Sequence, residues 1–486
     1  MAAGTTTTLI RNGTVVTCIG NDRTPSSFKA DVLVRDGTII EVAREKQLSP
    51  QEGWTIIDAT DKLICPGFVD THRHVWESAY RFMGDWTLLE YVAKCLQVLF
   101  PVIEADDAYA SQMLGYLEAL NGGVTTVVDH CHLTREPQLF DAMLDATRKS
   151  GIRSFLCYAR WEEWPNGSGR KEWQMNQLRR LVKEGTGSDR VTLGLAIDGL
   201  GEPFYRELQD ELFPFAKENG IDVFSTHTVS KLSGIGPDTI SQLSERGMLT
   251  QPILFVHCNE MSDSERDTLI AAECGISSTP EIELHMPLGN PVALTADDAG
   301  ARVGLGVDCS SVVSGEMFSV MRSALQYQRG VENDKLHSQG KFPKYLKRKA
   351  GDVFRMATMG GARAIHREHL IGSVEVGKKA DLVLLNTLTP AMLGAERDPV
   401  QAIVMHASVS DVEMVLVDGE VVVDKTRPVS EGAFTRVKWT EEVKRVRESS
   451  VRIKARISDW NTAEEAGYTR IRNIFGLTNE ICAEKY

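Results

Sequence analysis

The chain has 486 residues, 42% of them hydrophobic, with a formal net charge of −13 and a pI near 5.4. That length predicts one large catalytic domain joined to a smaller one. An acidic balance with no basic footprint argues against nucleic acid or an anionic membrane surface as partner and leaves small molecules. The nine cysteines, at 18, 65, 95, 131, 157, 258, 274, 309 and 482, form no Cys-x-x-Cys pair, which fits a reducing compartment. No run reaches the roughly 18 apolar residues of a membrane span. Neither Met1–Thr8 nor the final Glu-Lys-Tyr reads as a targeting signal, so a cytoplasmic location is expected.

In chain order, the first sixty residues alternate short β-rich runs with turn signals: TLIRNGTVVTCI, ADVLVRDGTIIEVA and GWTIIDATDKLICPG. Asn12-Gly13 and Asp36-Gly37 read as hairpin turns, which predicts an antiparallel β segment. Strands are then predicted at 68–74, 124–132, 153–160, 191–198, 222–229, 253–259, 275–279 and 301–308. Helical patterns separate them, such as ADDAYASQMLGYLEALNGG, stopped by Gly122-Gly123, and PQLFDAMLDATRKSG. Eight strands alternating with helices predict an α/β chain built as a (β/α)8 TIM barrel, with catalytic groups collected at the C-terminal strand ends. An open doubly wound sheet would need an early glycine-rich phosphate loop, and none is present. β texture returns at 371–385 and 400–424, with Asp418-Gly419 as another turn, so the two chain ends are expected to build one small β-sandwich. The expected division is residues 1–65 and 371–430 for the sandwich, 66–370 for the barrel and 431–486 for a C-terminal helical extension, whose charged helix needs no role beyond solvation or packing.

His72 and His74 end the first barrel strand, PGFVDTHRH. Residues two apart on a strand share a face, so the two imidazoles can converge on one cation. Alone the pair is weak, since His-x-His also occurs on ordinary exposed strands. A lone buried histidine is more often a satisfied core residue, and a lone aspartate at a strand end more often a turn former. Yet His227, His257 and Asp308 end the fifth, sixth and eighth predicted strands. Four histidines and an aspartate at one barrel mouth make coincidence the poorer account.

With these motifs, and with GVDCSS and the GSVEVGKKADLVLL return, the chain resembles the amidohydrolase superfamily in its cytosine deaminase and chlorohydrolase-like branch over roughly residues 8–425. The resemblance implies that His72, His74, His227 and Asp308 bind one divalent metal, zinc first with iron(II) as the alternative, and that His257 and Asp308 are catalytic. Three neutral imidazoles and a carboxylate suit either ion, and a water whose pKa falls toward ~7 is a nucleophile at neutral pH. Two-metal members use a carboxylated lysine on the fourth strand; VTLGLAID has none, so a single ion is expected. The family also implies a homo-oligomer.

One departure bears on substrate. Deaminases of this branch carry glutamate three residues after the fifth-strand histidine, to shuttle a proton to the ring and the leaving amine, and this chain has Ser230 there. A serine hydroxyl is no comparable acid. Substitutes are His130 and His132, which repeat the two-residue spacing and are candidate substrate contacts with Ser230, and also Asp198 and Glu260. Against these stand a hydrogen-bonded rim pair for the histidines and, for Glu260, a loop carboxylate ahead of a Ser262-x-x-Glu265 capping box. Trp76 is a candidate stacking platform, though an aromatic lid needs no ligand. The HMPLGNP stretch at 285–291 is expected as a loop shaping the pocket, and 161–173 is given no chemistry. The expected activity is metal-dependent hydrolysis of a C–N bond, deaminase or amidohydrolase type, in a small cyclic nitrogen-containing compound. A metal-dependent lyase, decarboxylase or dehydratase, is the alternative, and a silent binding protein a third reading.

Overall fold

The computed structural model of the chain describes residues 6–20, 22–160, 172–198, 202–229, 239–457 and 459–475. Ser230 and residues 161–171 of the 161–173 cluster lie outside the described residues. Five strands come first: β1 (Thr7–Thr17), β2 (Ser26–Arg35), β3 (Thr38–Arg44), β4 (Thr55–Asp58) and β5 (Lys62–Pro66). Eight follow: β6 (Phe68–Arg73), β7 (Val124–Cys131), β8 (Arg153–Ala159), β9 (Val191–Ala196), β10 (Phe224–Val229), β11 (Leu254–Asn259), β12 (Gly275–Ser278) and β13 (Arg302–Leu305). The last three are β14 (Leu382–Asn386), β15 (Val412–Val417) and β16 (Glu420–Asp424).

Strands β6 to β13 close into a barrel in chain order, β13 returning to β6 through Leu305 opposite Asp70, with parallel pairing throughout. The cause is visible in composition. β6, β7, β8 and β11 are buried at every position, as strands covered on both faces must be. The helices predicted after the first and second barrel strands form at Ala105–Asn121 and Pro137–Ser150. The second ends on Gly151 at φ +82, a left-handed cap that favours glycine.

The two chain ends build one separate sheet, ordered β16-β15-β14-β5-β1-β2-β3, with β4 also on β1. Alternation splits β14 cleanly. Leu382 and Leu384 join a small core with Ile10, Val15, Val32 and Ile64, while Val383 and Leu385 join the large core shared with the barrel. This is period-two patterning with both faces apolar.

Local expectations hold and fail in instructive places. Asp36-Gly37 and Asp418-Gly419 do turn hairpins, all four residues at positive φ. Asn12-Gly13 does not: Asn12 adopts φ +65 inside β1, and the register against β2 shifts between Ile10 and Gly13. The turn signal is spent on a bulge, because β1 continues along β2 and pairs parallel with β4 and β5 rather than folding back. The opening β segment is therefore not wholly antiparallel. Of the β texture expected at 400–424, Pro399–Met405 is a helix, started by Asp398 accepting from the Gln401 N–H. In the C-terminal extension, the helix Trp439–Arg456 ties to the helix after β6 through Arg452 and Arg456, whose guanidinium groups reach the buried Asp107 at 2.8 and 2.5 Å. Its charges pack as well as solvate. No helix among the described residues is long and apolar enough to cross a membrane.

Candidate metal centre and active site

The C-terminal ends of β6, β10, β11 and β13 deliver the predicted groups to one place. His72 and His74 lie at and just beyond the end of β6, His227 is on β10, His257 is on β11 and Asp308 follows β13. Gly306 lets the two backbones approach: a side-chain carbon there would lie 2.9 Å from the backbone N and O of His72. Without one, the Asp308 N–H donates to the His72 carbonyl at 2.8 Å and the His74 N–H to the Asp308 carbonyl at 3.2 Å. Asp308 and His257 both hold positive φ, +68 and +72, costly for residues with a Cβ and concentrated at functional sites.

The ring nitrogens converge. His72 Nε2 lies 3.3 Å from His74 Nε2 and 3.2 Å from His227 Nε2, and His74 Nε2 lies 3.3 Å from His227 Nε2. Asp308 Oδ1 is 3.6 and 3.3 Å from the first two. His74 Nδ1 faces the His130 carbonyl at 2.9 Å and His227 Nδ1 faces Asp198 Oδ2 at 2.7 Å. Beside such acceptors those Nδ1 atoms carry the protons, so the Nε2 lone pairs point at one another. Lone pairs facing each other repel unless a cation lies between them. Ligand atoms about 2.0–2.2 Å from a tetrahedral zinc lie ~3.3–3.6 Å apart. The three Nε2 atoms, with Asp308 Oδ1 beside His72 and His74, therefore have the spacing of ligands around one divalent ion.

Electrostatics favours the neutral form of His72 and His74. Burial lowers the pKa of His72 to about 3, with Asp308 resisting; burial and the neighbouring His132 and His72 lower that of His74. Burial also works against charge on His227, but Asp198 outweighs it and raises that pKa. Asp308, despite burial, is held well below the carboxylate range by His72 and His257. His257 Nδ1 sits 3.0 Å from Thr279 Oγ1, and its Nε2 3.7 Å from Asp308 Oδ2.

His130 and His132 end β7 in the same cluster. His130 Nε2 lies 2.7 Å from Asp198 Oδ2 and its Nδ1 3.1 Å from Ser225 Oγ, while the His132 ring stacks on His74 with centroids 4.1 Å apart. Trp76 is fully buried among Tyr80, Phe100 and His132, at centroid distances of 6.0–6.5 Å. Glu260 is exposed, and the capping box behind it forms between Ser262 and Glu265. The 285–291 stretch docks on the end of β11, where Asn259 Nδ2 donates to the Asn290 carbonyl at 2.8 Å.

Two groups escape sequence reasoning, and a third, Asp198, is expected from it only as a substitute proton carrier. It orients His227, a link between strand ends 29 residues apart that no local pattern signals. Arg73, between the two histidines, is buried with its Nε 2.7 Å from Asp70 Oδ2. Glu77 is buried against the Tyr91 hydroxyl at 2.5 Å and the Ser311 hydroxyl at 3.3 Å. Burial pushes its pKa up to about 8, so it is protonated at neutral pH.

The chain matches the model of the Amidohydrolase family over residues 63–422. A 5-methylthioadenosine/S-adenosylhomocysteine deaminase of Desulforudis audaxviator is 28% identical over 450 residues, 90% of this chain and 98% of that one. The zinc-bound adenosine deaminase of Xanthomonas campestris superimposes with a TM-score of 0.78 at 19% identity, covering 92% of this chain and 98% of that one. Atrazine chlorohydrolase of Arthrobacter aurescens, as a mutant complexed with zinc and atraton, gives 0.77 at 21%, covering 92% and 100%.

Proposed function

The chain belongs to the amidohydrolase family, and we propose that it is a zinc enzyme in which water displaces the amino group, or a comparable leaving group, from a ring carbon of a small nitrogen heterocycle. Hydrolysis of a non-peptide C–N bond, dependence on a divalent metal and a small-molecule substrate follow from the family and its deaminase relatives. Zinc as the ion, the ligand set and the residue roles belong to the proposal. The observation that carries it is the triangle of Nε2 atoms at 3.2–3.3 Å, closed by Asp308.

His72, His74, His227 and Asp308 hold the ion. Bound there, a divalent ion supplies Lewis acidity that brings the pKa of water down toward ~7. Asp308 Oδ2 accepts the proton of the attacking water and passes it on. His257, its Nδ1 held by Thr279, presents Nε2 to the oxygen on which charge develops. His130, His132 and Trp76 belong to the wall behind these groups, and Trp76 contributes packing there. The leaving amine needs a proton, and Ser230 stands where the branch carries a glutamate.

Turnover in oxygen-18 water tests the reaction class: label in the product with ammonia release supports hydrolysis, and consistent absence of label makes the protein a lyase. A panel of 5′-substituted adenosines, aminotriazines and cyclic amides or lactams tests the substrate class. Adenosine-type compounds should be slow, since general acid catalysis is typically worth ~10²–10⁴-fold, and Ser230→Glu should speed them. Efficient deamination by the unaltered protein, at rates typical of ~1–10³ per second, would show that another group delivers the proton.

A further inference from the structure

Once four groups are assigned to one ion, the barrel mouth still holds two imidazoles and a carboxylate that this ion does not use. We propose that His130, His132 and Asp198 form a second divalent-cation site, sharing an edge with the first at His227. The expectation of a single ion rested on a missing lysine, yet a carboxylate reaches the cluster from just beyond β9 without one.

The geometry has the features of a built site. One ligand atom from each of His130, His132, Asp198 and His227 lies within 4.8 Å of every other. His130 is on β7 and His132 is one residue beyond its end, and both rings are buried with centroids 5.1 Å apart. Each of two donors is fixed from behind. His130 Nδ1 rests on Ser225 Oγ at 3.1 Å, which leaves Nε2 aimed at Asp198. Asp198 Oδ1 accepts from the His227 backbone N–H at 2.8 Å and from the Thr226 hydroxyl at 3.3 Å, which turns Oδ2 toward the imidazoles. Metal-binding imidazoles are commonly held this way, the nitrogen away from the metal occupied by a hydrogen-bonding group.

His130 Nε2 and Asp198 Oδ2 are 2.7 Å apart, and two ligands of one tetrahedral zinc sit about 3.3–3.6 Å apart, so loading moves these two groups apart by roughly 0.6–0.9 Å. Imidazole and carboxylate donors select zinc, manganese(II) or iron(II) over calcium. With fewer protein ligands and a like charge next door, the second ion binds more weakly than the first.

Zinc titration of the full-length, chelator-treated protein, read by element analysis and by anomalous diffraction from zinc-soaked crystals, tests this without recourse to activity. Two equivalents are expected, with anomalous density among His130, His132 and Asp198 as well as at His72, His74, His227 and Asp308. In His132→Gln and His130→Gln the second equivalent should be lost and the first kept. Saturation at one ion, with density confined to the first set, overturns the proposal, as does a second equivalent unchanged in both variants. If the variants do not fold, the wild-type density alone decides. No ion at either place would remove the proposed function as well, which separates the two failures.

Discussion

The terminal sheet and the barrel mouth are buried to the same depth, Leu382 and Leu384 in one and His72, Arg73 and Glu77 in the other all at 0% exposure, but burial does opposite things in them. In the sheet each aliphatic side chain removed from water adds about 1.5–3 kcal/mol to stability. At the mouth, burial holds His72 neutral down to about pH 3 and keeps Glu77 protonated up to about pH 8, because a charged group loses its hydration there. The molecule is thus stabilised where it has no chemistry and strained where its chemistry sits. Polar groups this deep persist only if something compensates them: Asp70 does so for Arg73 and the Tyr91 hydroxyl for Glu77, and under the proposed function a cation would do so for the converging imidazoles.

The difference can be broken from either side. His72→Ala should have the largest effect on turnover and should strip most of the bound metal while leaving the fold cooperative; element analysis beside circular dichroism reads both. Wild-type metal content in that variant would remove His72 from the ligand set. His257→Ala should reduce kcat by roughly 10²–10⁴-fold with metal retained, and full activity would remove the catalytic assignment. On the other side, Leu384→Ala should lower unfolding stability by about 2–5 kcal/mol with kcat/KM and metal content unchanged; a loss of metal would show that the two regions are coupled.

Smaller effects sharpen the same contrast. Asp198→Asn leaves His227 without its carboxylate and should weaken metal affinity by about 10–100-fold, measured by competition with a chromophoric chelator. For the metal-free protein the sign of the pH dependence follows from the depressed histidines. An unfolded histidine takes its proton near pH 6.5, whereas folded His72 does so only at about 3, and His74, His130 and His132 are also shifted downward by burial. Below about pH 6.5 the unfolded chain therefore binds more protons, and stability falls as pH is lowered, by up to about 1.4 kcal/mol per pH unit per group. His227, raised by Asp198 against its burial, and the buried acids Glu77, Asp129 and Asp70, whose pKa values burial raises, work in the opposite direction. Urea midpoints of apo Glu77→Gln should therefore fall more steeply between pH 7 and 5 than those of the apo wild-type protein, while the Leu384→Ala increment stays constant. Identical profiles for the two proteins would mean that Glu77 is ionised in the folded state.

By itself the sequence determined what depends on local period and on residue chemistry. Alternating runs placed all eight barrel strands. Strand ends in His-x-His, His, His and Asp marked the mouth, and Asp36-Gly37 and Asp418-Gly419 marked two hairpins, because positive φ at those pairs is a local property. Tertiary structure alone decided the rest. Asn12-Gly13 became a bulge because β1 had parallel partners in β4 and β5 to follow, and Pro399–Met405 became a helix despite its β-rich texture. Asp198 met both His130 and His227, and Glu77 was pushed to its high pKa, only once strands distant in sequence had closed the barrel around them. Side-chain periodicity is written into consecutive residues. Hydrogen-bond partners and desolvation at the mouth depend on which strand ends the closed barrel sets side by side, and that is settled only when the barrel closes.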